Sequence, residues 1–135
     1  MRNKVLALWT ASVVILGCGG THIGGTGPDG GSSGGTTGGT ITITQFAFSP
    51  ASLTVAPGAT VTVENKDTAQ HSVTSQTAAG TYAPGAVAGI TFDTGVFVGT
   101  RTFTVPASAH SGTVIPYYCT VHGAMMANAG QIVIQ

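Results

Sequence analysis

Thr40-Ile41-Thr42-Ile43-Thr44 alternates hydroxyl and aliphatic side chains without a break. Successive residues of a strand point to opposite faces, so this stretch reads as a half-buried β-strand. The same rhythm returns in Thr60-Val61-Thr62-Val63-Glu64 and in Thr100-Arg101-Thr102-Phe103-Thr104-Val105. Ser52-Leu53-Thr54-Val55, His71-Ser72-Val73-Thr74, Ile90-Thr91-Phe92-Asp93, Val114 to Cys119 and Gln131 to Gln135 are further short strand candidates. Between them lie turn signals, Pro57-Gly58 and Asn65-Lys66-Asp67, and a loop rich in Ala, Gly and Thr over residues 75–89. Helical periodicity is absent from this part of the chain. Short strands separated by turns predict an all-β domain, a sandwich or a barrel, and residues 40–135 suit one such domain in size.

Outward from this core the composition changes abruptly. Residues 18–39 are mostly Gly, Ser and Thr, as in Gly30-Gly31-Ser32-Ser33-Gly34-Gly35-Thr36-Thr37-Gly38-Gly39, and predict a flexible tether. His22 falls in it and reads as a solvated side chain. Residues 1–17 read as an export signal, with Arg2 and Lys4 ahead of the apolar run Val5 to Leu16. That run is short for a membrane-spanning helix. It ends in Ile15-Leu16-Gly17-Cys18, which resembles a bacterial lipoprotein signal and makes Cys18 the expected lipidation site.

Charge excludes several partners. The chain has 135 residues, four Lys or Arg and four Asp or Glu, with a formal net charge of zero. No basic patch is present to bind nucleic acid, and no charge field is strong enough to steer partners. There are two cysteines. With Cys18 lipidated, Cys119 has no disulfide partner within the chain, and as an exported thiol it reads as a metal ligand, a buried inert thiol or one half of an intermolecular disulfide.

Tyr118-Cys119-Thr120-Val121-His122-Gly123-Ala124-Met125-Met126 supplies the chemistry. A thiolate, an imidazole and a thioether share this short loop, and His71 offers a second imidazole from a distant strand. One thiolate, two imidazoles and a weak thioether are the ligand set of a blue-copper site. A Cys-x-x-His pair alone is weak evidence. A zinc site would need further Cys or His at suitable spacing, and haem attachment needs a second cysteine. A Cys nucleophile with a His base would lack an evident orienting group.

Taken together, Val55-Ala56-Pro57-Gly58-Ala59-Thr60-Val61-Thr62-Val63-Glu64-Asn65, Asp67, His71-Ser72-Val73, Tyr117-Tyr118-Cys119-Thr120-Val121-His122 and the closing Gly130-Gln131-Ile132-Val133-Ile134 resemble the cupredoxins of the plastocyanin, amicyanin and pseudoazurin group. The resemblance covers residues 40–135. It implies a Greek-key β-sandwich holding one type 1 copper ion, with His71, Cys119 and His122 as strong ligands. It also implies a weak axial methionine, Met126, with Met125 as the alternative in a shorter, amicyanin-like loop. By the same resemblance the chain is an electron carrier rather than an enzyme, docking transient redox partners near His122. The signal, by its own resemblance to lipoprotein signals, implies export to the periplasm or cell surface and contact with a membrane only through Cys18. A periplasmic copper carrier or copper-resistance protein shares these ligands and is the alternative. A metal-free adhesion sandwich is a third reading.

The residues around these ligands carry plainer expectations. The resemblance implies that Ser72, which follows the first histidine, bonds across to the cysteine loop; otherwise it is simply a strand residue. Asn65 and Asp67 read as turn-formers. His110 sits in a polar loop and reads as solvated. One of Tyr117 and Tyr118 is expected in the core, since they alternate faces.

Overall fold

A computed structural model describes residues 37–135. The signal, Cys18 and nearly all of the tether, His22 included, lie outside the described residues. Eight strands run in chain order: β1 Thr37–Thr44, β2 Ala47–Ser49, β3 Ser52–Val55, β4 Thr60–Asn65, β5 Thr74–Ser75, β6 Gly99–Thr104, β7 Val114–Tyr118 and β8 Gly130–Ile134. They form two four-stranded sheets, ordered β2-β1-β4-β6 and β3-β8-β7-β5. Each sheet is mixed: β1 lies parallel to β4 and β3 parallel to β8, while the other neighbours are antiparallel. The one helical element among the described residues is a 3-10 turn over Gly123–Met125. Among the described residues no helix is long and apolar enough to cross a membrane.

The alternation seen in the sequence becomes the division between core and surface. Ile41, Ile43, Val61, Val63 and Phe103 point inward from the first sheet, and Val55, Ile115, Tyr117, Ile132 and Ile134 from the second. Their threonine neighbours on β1, β4 and β6 stay exposed or half-buried. The rings of Phe92 and Phe103 stack at 4.2 Å. Burying this aliphatic and aromatic surface is the main force holding the two sheets face to face.

Several local features depart from the sequence reading. β1 starts at Thr37, within the glycine run. Gly38 passes so close to the next strand that a Cβ would come within 3.0 Å of the Thr60 carbonyl oxygen, so the tether composition here serves strand pairing. The segment from His71 pairs only briefly: His71 bridges Phe97, and the strand itself is confined to Thr74–Ser75. Residues 90–93 form isolated bridges in place of a strand. Both Tyr117 and Tyr118 are buried. Tyr118 faces away from the inter-sheet core but is covered by Tyr82, whose ring meets it edge-on at 6.2 Å. On β8, a Cβ at Gly130 would collide with the Tyr117 ring, so only glycine lets that tyrosine fill the core beside it.

Candidate metal centre

His71, Cys119 and His122 meet at one end of the sandwich, each offering one ligand atom, with these atoms all within 4.8 Å of one another. Two come from the loop after β7. The amide of Gly123 donates to the Cys119 carbonyl at 2.8 Å and that of Met125 to the His122 carbonyl at 2.8 Å, which folds the loop back on itself. The third comes from the short segment before β5. There the His71 amide donates to the Phe97 carbonyl at 3.1 Å, and the Phe97 amide returns a bond to the His71 carbonyl at 2.9 Å. Between those anchors the three ligand atoms form a triangle. Cys119 Sγ lies 3.7 Å from His71 Nδ1 and 3.5 Å from His122 Nδ1, and the two Nδ1 atoms are 3.2 Å apart. Trigonal bonds of about 2.0 Å to nitrogen and about 2.3 Å to sulfur need the two nitrogens roughly 3.5 Å apart and each nitrogen roughly 3.7 Å from the sulfur, so the triangle fits a trigonally held metal after a small opening.

The surroundings orient each ligand. Ser72 does what its position suggested: its amide donates to Cys119 Sγ at 3.4 Å, and its Oγ accepts from the Thr120 amide at 2.9 Å. Such a bond withdraws charge from the sulfur and tunes a thiolate-held metal. Asp67 does more than form a turn. Its Oδ2 lies 3.0 Å from His71 Nε2. It also accepts from the Phe46 amide at 3.0 Å, while Oδ1 accepts from the Gln45 amide at 2.7 Å. The Phe46 amide is the chief influence holding the Asp67 carboxyl below its usual range; desolvation opposes it, while Gln45 and His71 reinforce it. A charged carboxylate accepts, so His71 carries its proton on Nε2 and leaves Nδ1 free to ligate. Burial pushes the His71 imidazole below the ordinary histidine value, against the pull of Asp67. Metal ligation needs the neutral ring that burial favours.

Asn65 completes this support. Its Nδ2 donates to the carbonyls of Ala69 and Phe97 at 2.8 and 3.0 Å, and its Oδ1 accepts from the Asp67 amide at 2.9 Å. The one sequence hint of this work was its place, with Asp67, just ahead of His71.

The two methionines occupy different environments. Met126 is 8% exposed and lines a cavity with Phe48, Tyr82, Tyr117 and Tyr118, whereas Met125 is 71% exposed. Around the partly exposed His122, Phe46, Val121 and Met125 are also exposed, leaving apolar side chains at this end of the molecule. His110 lies on an exposed loop outside the triangle.

The family described as copper binding proteins, plastocyanin/azurin family, matches residues 36–135. The chain therefore belongs to the plastocyanin/azurin family of copper-binding proteins. Solved structures of amicyanin variants share its fold. A reduced Cu(I) form at pH 4 is 17% identical with a TM-score of 0.52, covering 75% of this chain and 83% of that one. A second Cu(I) variant is 20% identical with a TM-score of 0.54, covering 73% and 83%. A reduced variant of a third kind is 17% identical with a TM-score of 0.53, covering 76% and 85%. At such identities the likeness establishes a cupredoxin fold and nothing finer. No curated protein sequence matches the chain. Family membership and the donor set together are consistent with one type 1 copper ion.

Proposed function

We propose that the chain is an exported electron carrier in which His71, Cys119 and His122 hold one copper ion and Met126 is its weak axial ligand. The observation that carries this reading is the convergence of two Nδ1 atoms and one Sγ within 4.8 Å, from segments far apart in sequence. Copper bound there supplies a one-electron Cu(II)/Cu(I) couple. The chain's own part is to keep those atoms still: the Ser72 amide fixes the sulfur, the Asp67 carboxylate fixes His71, and the folded Cys119–Met126 loop fixes His122. Ligands held in one arrangement for both oxidation states rearrange little during transfer. Burial of Met126 favours it over the exposed Met125 as axial ligand.

His122 is the most exposed of the three strong ligands and adjoins Phe46, Val121 and Met125. A transient redox partner would dock on this small apolar patch, a mode suited to weak encounters. Lipidation of Cys18 after export would tether the domain to a bacterial membrane by the Gly/Ser/Thr segment, on the periplasmic or cell-surface side.

Reversible voltammetry combined with chelator competition tests the reading. An electron carrier gives a one-electron wave while keeping its copper against a chelator. Ready loss of copper with no stable wave would favour a copper-delivery role.

A further inference from the structure

Gln45 and Phe46 connect β1 to β2 as a two-residue hairpin turn, with Thr44 paired to Ala47. Both are left-handed, at φ 51° and 58°. Such turns ordinarily recruit Asn-Gly or Asp-Gly, because bulky L residues avoid this region. Nothing in the local sequence favours the conformation. What holds it is Asp67, which takes the amides of both turn residues on its two carboxylate oxygens. The consequence reaches the metal centre. The Phe46 ring stands edge-on to His71 at 5.2 Å and to His122 at 4.8 Å. The Phe46 carbonyl accepts from the Ala127 amide at 2.7 Å, next to Met126.

We propose that Asp67 is a positioning residue for both imidazoles: it holds His71 directly by a hydrogen bond, and it holds His122 at one remove by pinning the Gln45–Phe46 turn that lays the Phe46 ring against the two histidines. The ring blocks lateral tilting of either imidazole, and the Ala127 bond ties the same turn to the Met126 segment. A single carboxylate thereby couples three stretches of chain that carry the site. The idea rests on the ligand roles proposed above for His71 and His122.

Two sets of measurements test it. In the copper-free wild-type protein, nitrogen NMR should show His71 protonated at Nε2, and the amides of Gln45 and Phe46 should exchange slowly although both residues are exposed. Fast exchange at both amides, or a proton on Nδ1 of His71, overturns the clamp without any mutant. The second set compares copper affinity and reduction potential in Asp67→Ala, Phe46→Ala and the double variant. Asp67→Ala should lower affinity about ten- to a hundredfold, as removing a partner of a ligating histidine does, and should scramble the His71 tautomer. Phe46→Ala should matter less in the Asp67→Ala background than alone, because its ring is then already unpinned. Strictly additive effects, or an unchanged His71 tautomer in Asp67→Ala, contradict the proposal. Absence of copper binding by the wild type would instead strike the ligand assignment, which keeps the two failures apart.

Discussion

The backbone amide of Ser72 donates to the sulfur of Cys119 at 3.4 Å, while the Ser72 hydroxyl accepts from the Thr120 amide at 2.9 Å. One residue beside His71 thus grips the loop that carries the other ligands from both its backbone and its side chain. Hydrogen bonds of the chain itself fasten the two halves of the metal centre together.

Ser72→Ala removes the hydroxyl and keeps the amide. The Thr120 amide then loses its acceptor, which should cost about 1–2 kcal/mol of stability. Urea unfolding of the copper-free protein measures this. The charge-transfer colour should survive, because the bond to Cys119 comes from the backbone.

Tyr117 offers a gain in stability. Its hydroxyl is buried and has no hydrogen-bond partner among the described residues. Tyr117→Phe deletes that unsatisfied group and leaves the ring packed on Phe48 at 4.9 Å, so stability should rise by roughly 1–3 kcal/mol. Burial also raises the Tyr117 phenol above its ordinary value of 10.0. Above about pH 10 the unfolded chain releases this proton and the folded chain keeps it, so folding stability falls as pH rises further. Unfolding curves at alkaline pH should show this loss in the wild type and a smaller one in Tyr117→Phe.

Acid should weaken the copper-free protein through His71. Its folded value lies below the ordinary 6.5, chiefly because it is buried. As pH falls below about 6.5 the unfolded chain takes up a proton that the folded chain refuses, and stability drops until the folded value is passed. Midpoints of urea unfolding at about pH 7.5 and about pH 5 report the sign, with the lower midpoint expected at the lower pH. Equal midpoints would mean that His71 is not held neutral by the fold.

Much of this was legible in the residues themselves. Alternating Thr and aliphatic residues placed β1, β4 and β6, and the inward side chains are those the alternation picks out. His71, Cys119 and His122 could be singled out because their chemistry is scarce in this chain and their spacing suits one site. The β1–β2 hairpin was not legible. Its turn is Gln45-Phe46, which carries no turn signal, and a distant carboxylate imposes its shape. Asp67 was hidden for the same reason, since a short acidic residue in a polar loop reads as a turn-former until its distant partners are seen. The burial of Tyr118 depends on the 76–89 loop folding over β7. Gln76 anchors that loop, accepting from the Tyr82 amide at 3.0 Å and donating to the Tyr117 carbonyl at 3.3 Å. Periodicity within one strand carries no record of such a cover.

The methionines can be separated by potential. A thioether stabilises Cu(II) more than a hydrocarbon does, so Met126→Leu should raise the reduction potential and alter the spectrum while copper stays bound. A tenfold change in relative affinity for the two oxidation states moves a one-electron potential by about 59 mV, and a shift of at least that order is expected. Met125→Leu should change little, since that side chain is 71% exposed. The reverse pattern would assign the axial role to Met125.

Anchoring is tested in cells. Cys18→Ser should move the protein from membrane to soluble fractions, because the Gly/Ser/Thr segment has no affinity of its own for lipid. A variant that still sediments with membranes would point to another anchor.

The central claim, that Cys119 joins His71 and His122 around one copper, is tested most directly by the visible spectrum as Cu(II) is added to the folded protein. The account predicts an intense blue thiolate-to-copper band that saturates at one equivalent in the wild type. The band should be missing in Cys119→Ser, with the β-sandwich retained by circular dichroism. A colourless wild type, or an equally blue Cys119→Ser, would contradict it.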